Sequence, residues 1–295
     1  MRYFKQIKDS YYSHGITYSI GNIDECSAFS ENNGKRISWG KQPEQELLEN
    51  IEFLALLPTE KQIKNIEIYF KLLLKLPNLK DLISPIELFE QKENISLFFK
   101  TLNLNKFAVL EKIRKNDLSN ITFNNLELLV INDTYNLNES IDLCVQKLPV
   151  LEFLETPLSD SGFCSIDNIL KLKNIRHLIL RHCKSKKIEN LSSKNFYTLG
   201  ITNYSKELDF IGNITSLEIL HFNTIRSEIN CNIFKQLPNL KEISILNSKK
   251  IINIETLLEC KNLRSIYFFR CDNIFKNLKQ VFKDKGYDYI DIDYS

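Results

Sequence analysis

A chain of 295 residues can hold one large domain or two ordinary ones, and its 43% hydrophobic and 26% charged residues exclude an intrinsically disordered chain. The 39 Lys and Arg nearly balance the 37 Asp and Glu, so the formal charge of +2 excludes a global field that would draw the chain to nucleic acid or an anionic membrane. Seven cysteines, an odd number without Cys-x-x-Cys spacing, read as reduced thiols and not as a disulfide framework or a zinc site.

The first residues, Met1 to Asp9, contain no apolar run of signal-peptide length, and no stretch of the chain approaches a membrane-spanning run, so the expected compartment is cytoplasmic. Ile16-Thr17-Tyr18-Ser19-Ile20 alternates with period two and ends in Gly21-Asn22; Arg36-Ile37-Ser38-Trp39 follows the turn-forming Asn32-Asn33-Gly34. Residues 1–44 are therefore expected to form a small β-hairpin that caps the hydrophobic edge the chain would otherwise expose at residue 45. Pro43 suits the first turn of a helix through Glu46-Leu47-Leu48, where a missing amide proton costs nothing.

From residue 45 to 295 a Leu-x-x-Leu-x-Leu frame recurs about eleven times at intervals of 20 to 28 residues, the period of a stacked repeat. The frames are Ile51/Leu54/Leu56, Leu79/Leu82/Ser84, Phe99/Leu102/Leu104, Leu126/Leu129/Ile131, Leu151/Leu154/Thr156 and Ile175/Leu178/Leu180. They continue with Phe196/Leu199/Ile201, Leu217/Leu220/Phe222, Leu240/Ile243/Ile245, Leu263/Ile266/Phe268 and Tyr287/Ile290/Ile292. Each predicts a short parallel strand, with centres near Leu129, Leu178, Leu220, Ile243 and Ile266 among the more regular ones. Between strands, Ser140 to Leu148 and Asn232 to Leu237 read as helices, each stopped by the proline immediately after it. Leu-Pro-Asn-Leu occurs at 76–79 and 237–240, with Leu-Pro-Val-Leu at 148–151. The two 21-residue intervals, 175 to 196 to 217, leave room for only a single turn or extended segment between strands.

Eight residues after the frame's first position stand Cys183 and Cys271, where many such repeats place an Asn or Cys inside the turn, and Thr134, Ser159 and Ser248 share that offset. With these residues the chain resembles the leucine-rich-repeat superfamily over residues 45–295. The resemblance implies an α/β fold, a right-handed leucine-rich-repeat solenoid with a parallel sheet on its concave face and helices or turns on its convex face. It also implies a concave surface that binds another protein.

Because strand side chains alternate, the second, fourth and sixth residues after each frame's first position should face away from the core. Those positions carry Phe153, His177, Ile179, Arg181, Ile219, His221, Leu246, Tyr267 and Phe269, the candidate partner-binding residues. So many large apolar groups on one face point to an interaction surface, and Tyr, Phe and Arg are residue types that anchor interfaces. The basic run Arg181 to Lys187 reads as a solvated loop at the rim, and Asp288, Asp291 and Asp293 read as charges that blunt an open sheet edge.

No phosphate-cradling loop, His-Glu-x-x-His or nucleophile elbow occurs, and eight glycines give little material for one. His177 and His221 lie two repeats apart, about 10 Å, too far to share a metal ion. His182 and Cys183, adjacent on the chain, point in opposite directions and do not read as a catalytic pair. The expected function is a non-enzymatic module holding a protein partner on its concave sheet, without catalytic residues, cofactor, metal, nucleic acid, membrane or small-molecule substrate. A bacterial immunity protein that occludes a toxin, or an adaptor, would suit such an array. The alternatives are a bacterial effector acting on a host protein, and an enzyme with its activity in the N-terminal segment.

Overall fold

A computed structural model describes residues 16–21, 35–37, 40–41, 43–57, 59, 61–62, 67–85, 88, 103–110, 121–132, 143–183, 187–272 and 277–293. The chain divides into two compact units, one built on Tyr11–Glu152 with Leu172–Asn174 and the other on Phe153–Lys171 with Ile175–Ser295. Both are stacks of leucine-rich repeats, each repeat contributing one strand to a parallel sheet.

The first unit contains β1 (Ile16–Gly21), β2 (Lys35–Ile37), β3 (Ile51–Leu57), β4 (Asp81–Pro85), β5 (Lys106–Leu110) and β6 (Leu128–Asn132), in the sheet order β6-β5-β4-β3-β1-β2. The expected N-terminal hairpin is not formed. β1 runs parallel to β2, with Tyr18 opposite Lys35, and parallel to β3 on its other side. Residues 22–34 between the two strands are too many for a tight hairpin turn and enough for the crossover of about a dozen residues that a parallel pair requires.

The third frame also shifts. β5 places Phe107 opposite both Leu82 and Leu129, and Val109 opposite Ser84 and Ile131, so the repeat reads Leu104/Phe107/Val109 and not Phe99/Leu102/Leu104. All three of these side chains are buried. The five-residue shift replaces intervals of 20 and 27 with 25 (79 to 104) and 22 (104 to 126), closer to the rest of the array.

The second unit contains β7 (Phe153–Pro157), β8 (His177–Arg181), β9 (Thr198–Thr202), β10 (Ile219–Asn223), β11 (Ile229–Asn230), β12 (Glu242–Leu246), β13 (Ile251–Ile252), β14 (Ser265–Phe269) and β15 (Tyr289–Ile292). Its main sheet runs β15-β14-β12-β10-β9-β8-β7, while β11 and β13 form a separate two-stranded parallel pair. Here the frames lie where the sequence puts them. Leu154, Leu178, Leu199, Leu220, Ile243 and Ile266 face the core at 0% exposure, and Leu180, Ile201, Phe222, Ile245 and Phe268 do the same two residues later. Strands are paired in register from β7 to β15, so like positions stack on like positions throughout.

The polar frame residues Ser84 and Thr156 are buried as well. Thr156 Oγ1 donates to the Pro157 carbonyl at 3.1 Å and lies 3.0 Å from Cys164 Sγ. Ser84 Oγ has no hydrogen-bond partner among the described residues, a cost the first unit carries for a hydroxyl in a leucine position.

Among the described residues, the segments opposite the strands are mostly 3-10 helix, not α-helix. Val145–Lys147 and Cys231–Gln236 take this form within the two segments read as helices, residues 140–142 lying outside the described set. The 21-residue intervals carry Ile188–Ser193 and Asp209–Asn213, more than the single turn expected of them. Pro43 precedes a further one at Gln45–Asn50. Each return segment must match the length of a five-residue strand. The 3-10 form, with about 2.0 Å rise per residue against 1.5 Å, spans that length with fewer residues. The α-helices Glu67–Leu73, Ile166–Ile169 and Leu278–Asp284 fall in the intervals that start at 51, 151 and 263, none shorter than 24 residues.

Two ladders join successive repeats outside the strands. In the first, the residue just before the frame donates a side-chain hydrogen bond to a carbonyl of the preceding repeat. Asn78 donates to Glu49 at 2.6 Å, Asn174 to Pro149 at 2.6 Å, Asn239 to Thr215 at 3.0 Å and Asn262 to Pro238 at 2.6 Å. Ser216 does likewise to Phe196 at 2.8 Å. The Asn of Leu-Pro-Asn-Leu therefore matters as much as its proline. In the second ladder, His182, Asn203, Thr224, Asn247 and Arg270, each directly after a strand, hold φ between 49° and 57°. The amides of Asn203, Thr224 and Asn247 donate to the last strand carbonyl of the next repeat at 2.8 to 2.9 Å.

Left-handed backbone is tolerable for Asn and costly for a β-branched residue. Replacing Thr224 by Asn is therefore expected to raise stability by about 0.5–1 kcal/mol in urea denaturation. Ile243→Ala, at a fully buried position of β12, is expected to lower it by about 2–5 kcal/mol through lost burial and a residual cavity.

Candidate functional site

The face of each sheet turned away from the leucine core is where a partner could reach rigid side chains. In the second unit three rows cross it, one residue from each strand. The row nearest the strand starts reads Phe153, His177, Thr198, Ile219, Glu242, Ser265 and Tyr289. The middle row reads Glu155, Ile179, Gly200, His221, Ser244, Tyr267 and Asp291. The third row passes through Pro157 and Arg181, then through Asn223, Leu246 and Phe269.

The alternation places all nine sequence-derived candidates on this face, but not all are open to solvent. Phe153, Ile179 and Ile219 are buried, at 1%, 3% and 3% exposure, where the sequence alone suggested exposure. Neighbours along the rows account for part of this. The His177 ring stacks on Phe153 at 6.2 Å and meets Tyr197 at 6.4 Å. A Cβ on Gly200 would come within 3.1 Å of Ile179, so the missing side chain is the space that Ile179 occupies. His177, Arg181, His221, Leu246, Tyr267 and Phe269 remain partly exposed.

Acidic side chains are also buried on the outer face, a feature the alternation argument did not anticipate. Glu155, 4% exposed, accepts from Arg181 Nε at 2.7 Å and from its Nη2, an ion pair between adjacent strands. Glu242, 0% exposed, accepts from Ser265 Oγ at 2.8 Å. In the first unit Asp81 pairs with Lys106 at 3.3 Å, beside an outer-face cluster of Phe53, Ala55, Leu57 and Ile83 with Ala108 packed against it. Removing a carboxylate from water is costly unless a partner compensates, and each here has one on the neighbouring strand. Sequence spacing could have indicated these pairs, since Asp81 and Lys106 share a row once the third frame is set correctly.

Both histidines of this face bond across to a neighbouring strand. His177 Nδ1 lies 2.9 Å from Thr198 Oγ1, and His221 Nδ1 lies 2.7 Å from Ser244 Oγ, each bridging to the next strand. Ser244 is fully buried, so its hydroxyl joins strands and does not meet solvent. Among the described residues no group of three or more His, Cys, Asp or Glu could hold a metal ion, and no helix is long and apolar enough to cross a membrane.

Cys183 and Cys271 are buried in the turn after their strands, as their offset implies. Burial pushes the Cys183 thiol up to about 12, and the Cys271 thiol is raised for the same reason. Of the basic run that contains Cys183, residues 184–186 lie outside the described set, and Lys187 pairs with Asp167 at 2.6 Å.

The open part of the face lies toward β15. Tyr267 and Phe269 stand on one strand with their rings 6.5 Å apart and 6° from parallel, and the Arg270 guanidinium lies 5.0 Å from the Phe269 centroid. Tyr289 donates to Asp291 Oδ2 at 3.3 Å. Burial raises the Tyr267 phenol above its usual range, with the nearby carboxylates of Asp291 and Asp293 adding to the effect.

No family model matches the chain, and no curated protein matches it. Solved structures that do match are leucine-rich-repeat proteins. Internalin C2 of Listeria monocytogenes is 16% identical, covering 77% of this chain and 84% of its own, with a TM-score of 0.39. A second Listeria internalin is 13% identical over 80% and 72% of the two chains, with a TM-score of 0.46. A Leptospira interrogans leucine-rich-repeat protein is 16% identical over 88% and 82%, with a TM-score of 0.36. The repeat geometry of the chain itself defines the fold, and no residue role passes from these proteins to this one.

Arg181→Ala is expected to lower stability by about 1–3 kcal/mol because it removes the guanidinium that pairs with the buried Glu155 carboxylate. Adding Glu155→Gln should restore most of that loss. An Arg181→Ala protein with an unchanged urea midpoint would show that the pair contributes nothing.

Proposed function

We propose that the chain is a non-enzymatic recognition module that holds a partner protein on the outer face of its C-terminal repeats, the role of an immunity protein that occludes a toxin or of an adaptor. One observation carries this reading. Leu246, Tyr267 and Phe269 keep part of their surface in water, although they stand over a core that is already filled by Ile243, Ile245, Ile266 and Phe268.

Their setting favours recognition in a second way. Each stands on a strand hydrogen-bonded on both sides, β12 between β10 and β14, and β14 between β12 and β15. A side chain fixed by such a backbone loses little freedom when a partner lands on it, and aromatic anchors of this kind commonly carry about 2 kcal/mol or more each at an interface centre. Arg181, also a candidate from the sequence, holds Glu155 and so serves the fold whether or not it meets a partner.

The test is affinity capture from cells of the source organism with quantitative mass spectrometry, using the unmodified protein, Tyr267→Ala/Phe269→Ala and Lys235→Ala. Lys235 lies in the 3-10 segment Cys231–Gln236, far from these strands in the repeat, where it pairs with exposed Glu259. The expected result is a protein retained by the unmodified and Lys235→Ala chains and bound at least about 100-fold more weakly by the double variant, with its melting temperature unchanged. Capture that survives the double substitution but is lost with Lys235→Ala would move the function to the opposite side of the repeats.

A further inference from the structure

We infer that the C-terminal end of this outer face takes a basic segment of the partner protein, with a Lys or Arg side chain lying over the rings of Tyr267 and Tyr289 and facing the carboxylates of Asp291 and Asp293. The inference rests on the reading that this face binds a partner.

Charge is distributed unevenly over the face. On β7 and β8 the acid Glu155 meets its own chain's Arg181, and in the first unit Asp81 meets Lys106. On β10, β12, β14 and β15 the outer positions, continued one residue past β15 to Asp293, carry three acids, Glu242, Asp291 and Asp293, and no Lys or Arg. Glu242 is buried and takes the Ser265 hydroxyl, so it is settled within the fold. Asp291 is exposed and Asp293 partly so, and neither forms an ion pair among the described residues. The outer positions at this end are thus negative in a chain whose total charge is +2, and the cation of this chain that reaches them, Arg270 from just after β14, lies over Phe269 and not over the tyrosines.

The register adds the aromatic component. Tyr267 lies opposite Asp291, and Tyr289 lies opposite Ser265 in the adjacent row. Rings beside carboxylates suit a cation better than either does alone, because the ring face and the acid both attract positive charge and the ring body excludes water from the contact. The chain already displays the chemistry once, with the Arg270 guanidinium over Phe269. That ring is occupied from within, which leaves Tyr267 and Tyr289 for an outside cation. Phosphate backbones and anionic headgroups are disfavoured by the same carboxylates, so the occupant is a basic stretch of polypeptide.

The probe is a fluorescein-labelled hexa-arginine peptide, titrated with the full chain at physiological salt and read by anisotropy, with hexa-glutamate as the control. Saturable binding of hexa-arginine alone is expected, weakened at least tenfold by Asp291→Asn/Asp293→Asn and, independently, by Tyr267→Leu. Asp167→Asn/Glu189→Gln, which removes two acids from outside this face, should leave it unchanged. Circular dichroism confirms folding, and the Tyr267→Leu arm reads the site if the double Asn variant is destabilised. Absent binding, binding indifferent to both sets of outer-face variants, or binding weakened equally by the control pair overturns the inference. If partner capture depends on Tyr267 and Phe269 while hexa-arginine is ignored, the docking face stands and its basic occupant does not. If the peptide binds as expected while capture ignores those rings, the cation site stands and the partner lies elsewhere.

Discussion

Strand register is the constraint on which the rest of this structure depends. A parallel strand between two others directs its amides and carbonyls to its neighbours, and only one alignment keeps leucine over leucine while doing so. A shift of one residue would turn Ile243 and Ile245 outward and bring Glu242, Ser244 and Leu246 into the core. The Asn and Ser side-chain bonds before β4, β8, β10, β12 and β14 and the left-handed residues after β8, β9, β10, β12 and β14 fix that alignment from the two ends. The first holds the entry to these strands against the previous repeat, and at Asn203, Thr224 and Asn247 the second ties the exit to the next.

The leucine frame made most of the fold legible, and its failures are informative. In the third repeat Phe99/Leu102/Leu104 satisfies the same pattern as Leu104/Phe107/Val109, and only the evenness of the intervals favours the second. Pairing decides it, because only Phe107 stands opposite Leu82 and Leu129. The N-terminal strands were visible as an alternating run at 16–20 and a short segment after the turn-forming Asn32-Asn33-Gly34, yet neither signal carries direction, so parallel pairing to β3 was hidden. The return segments at 140–148 and 232–237 read as helices that end at a proline, with no helix type assigned. Periods of 3.0 and 3.6 differ by little over one or two turns, and the distance to be spanned selects the 3-10 form.

The candidate site was legible in position and less so in exposure. Alternation correctly assigned Phe153, Ile179 and Ile219 to the outer face, but exposure depends on what stands on neighbouring strands. Gly200 beside Ile179 and the His177 ring beside Phe153 are relations between repeats more than 20 residues apart. Nor does composition separate Arg181, held by a buried acid, from a residue waiting for a partner. A list of face residues thus becomes a site only once the internal pairs are subtracted.

What remains after that subtraction has a consistent physical character. Arg181 and Lys106 are engaged by acids of their own face and Arg270 lies over Phe269, whereas exposed Asp291 and Asp293 sit at the C-terminal end beside rings that carry no charge of their own. A solenoid can sustain such a division because each repeat contacts mainly its neighbours, so polarity can change along the stack without disturbing the core beneath. The same locality bears on specificity. An acid next to an aromatic ring on a rigid strand attracts one class of side chain and repels its opposite, and discrimination of that kind comes as much from the partners it rejects as from those it holds. The apolar surface of Leu246, Tyr267 and Phe269 would then supply affinity, and the carboxylates beside it would select what is allowed to use it.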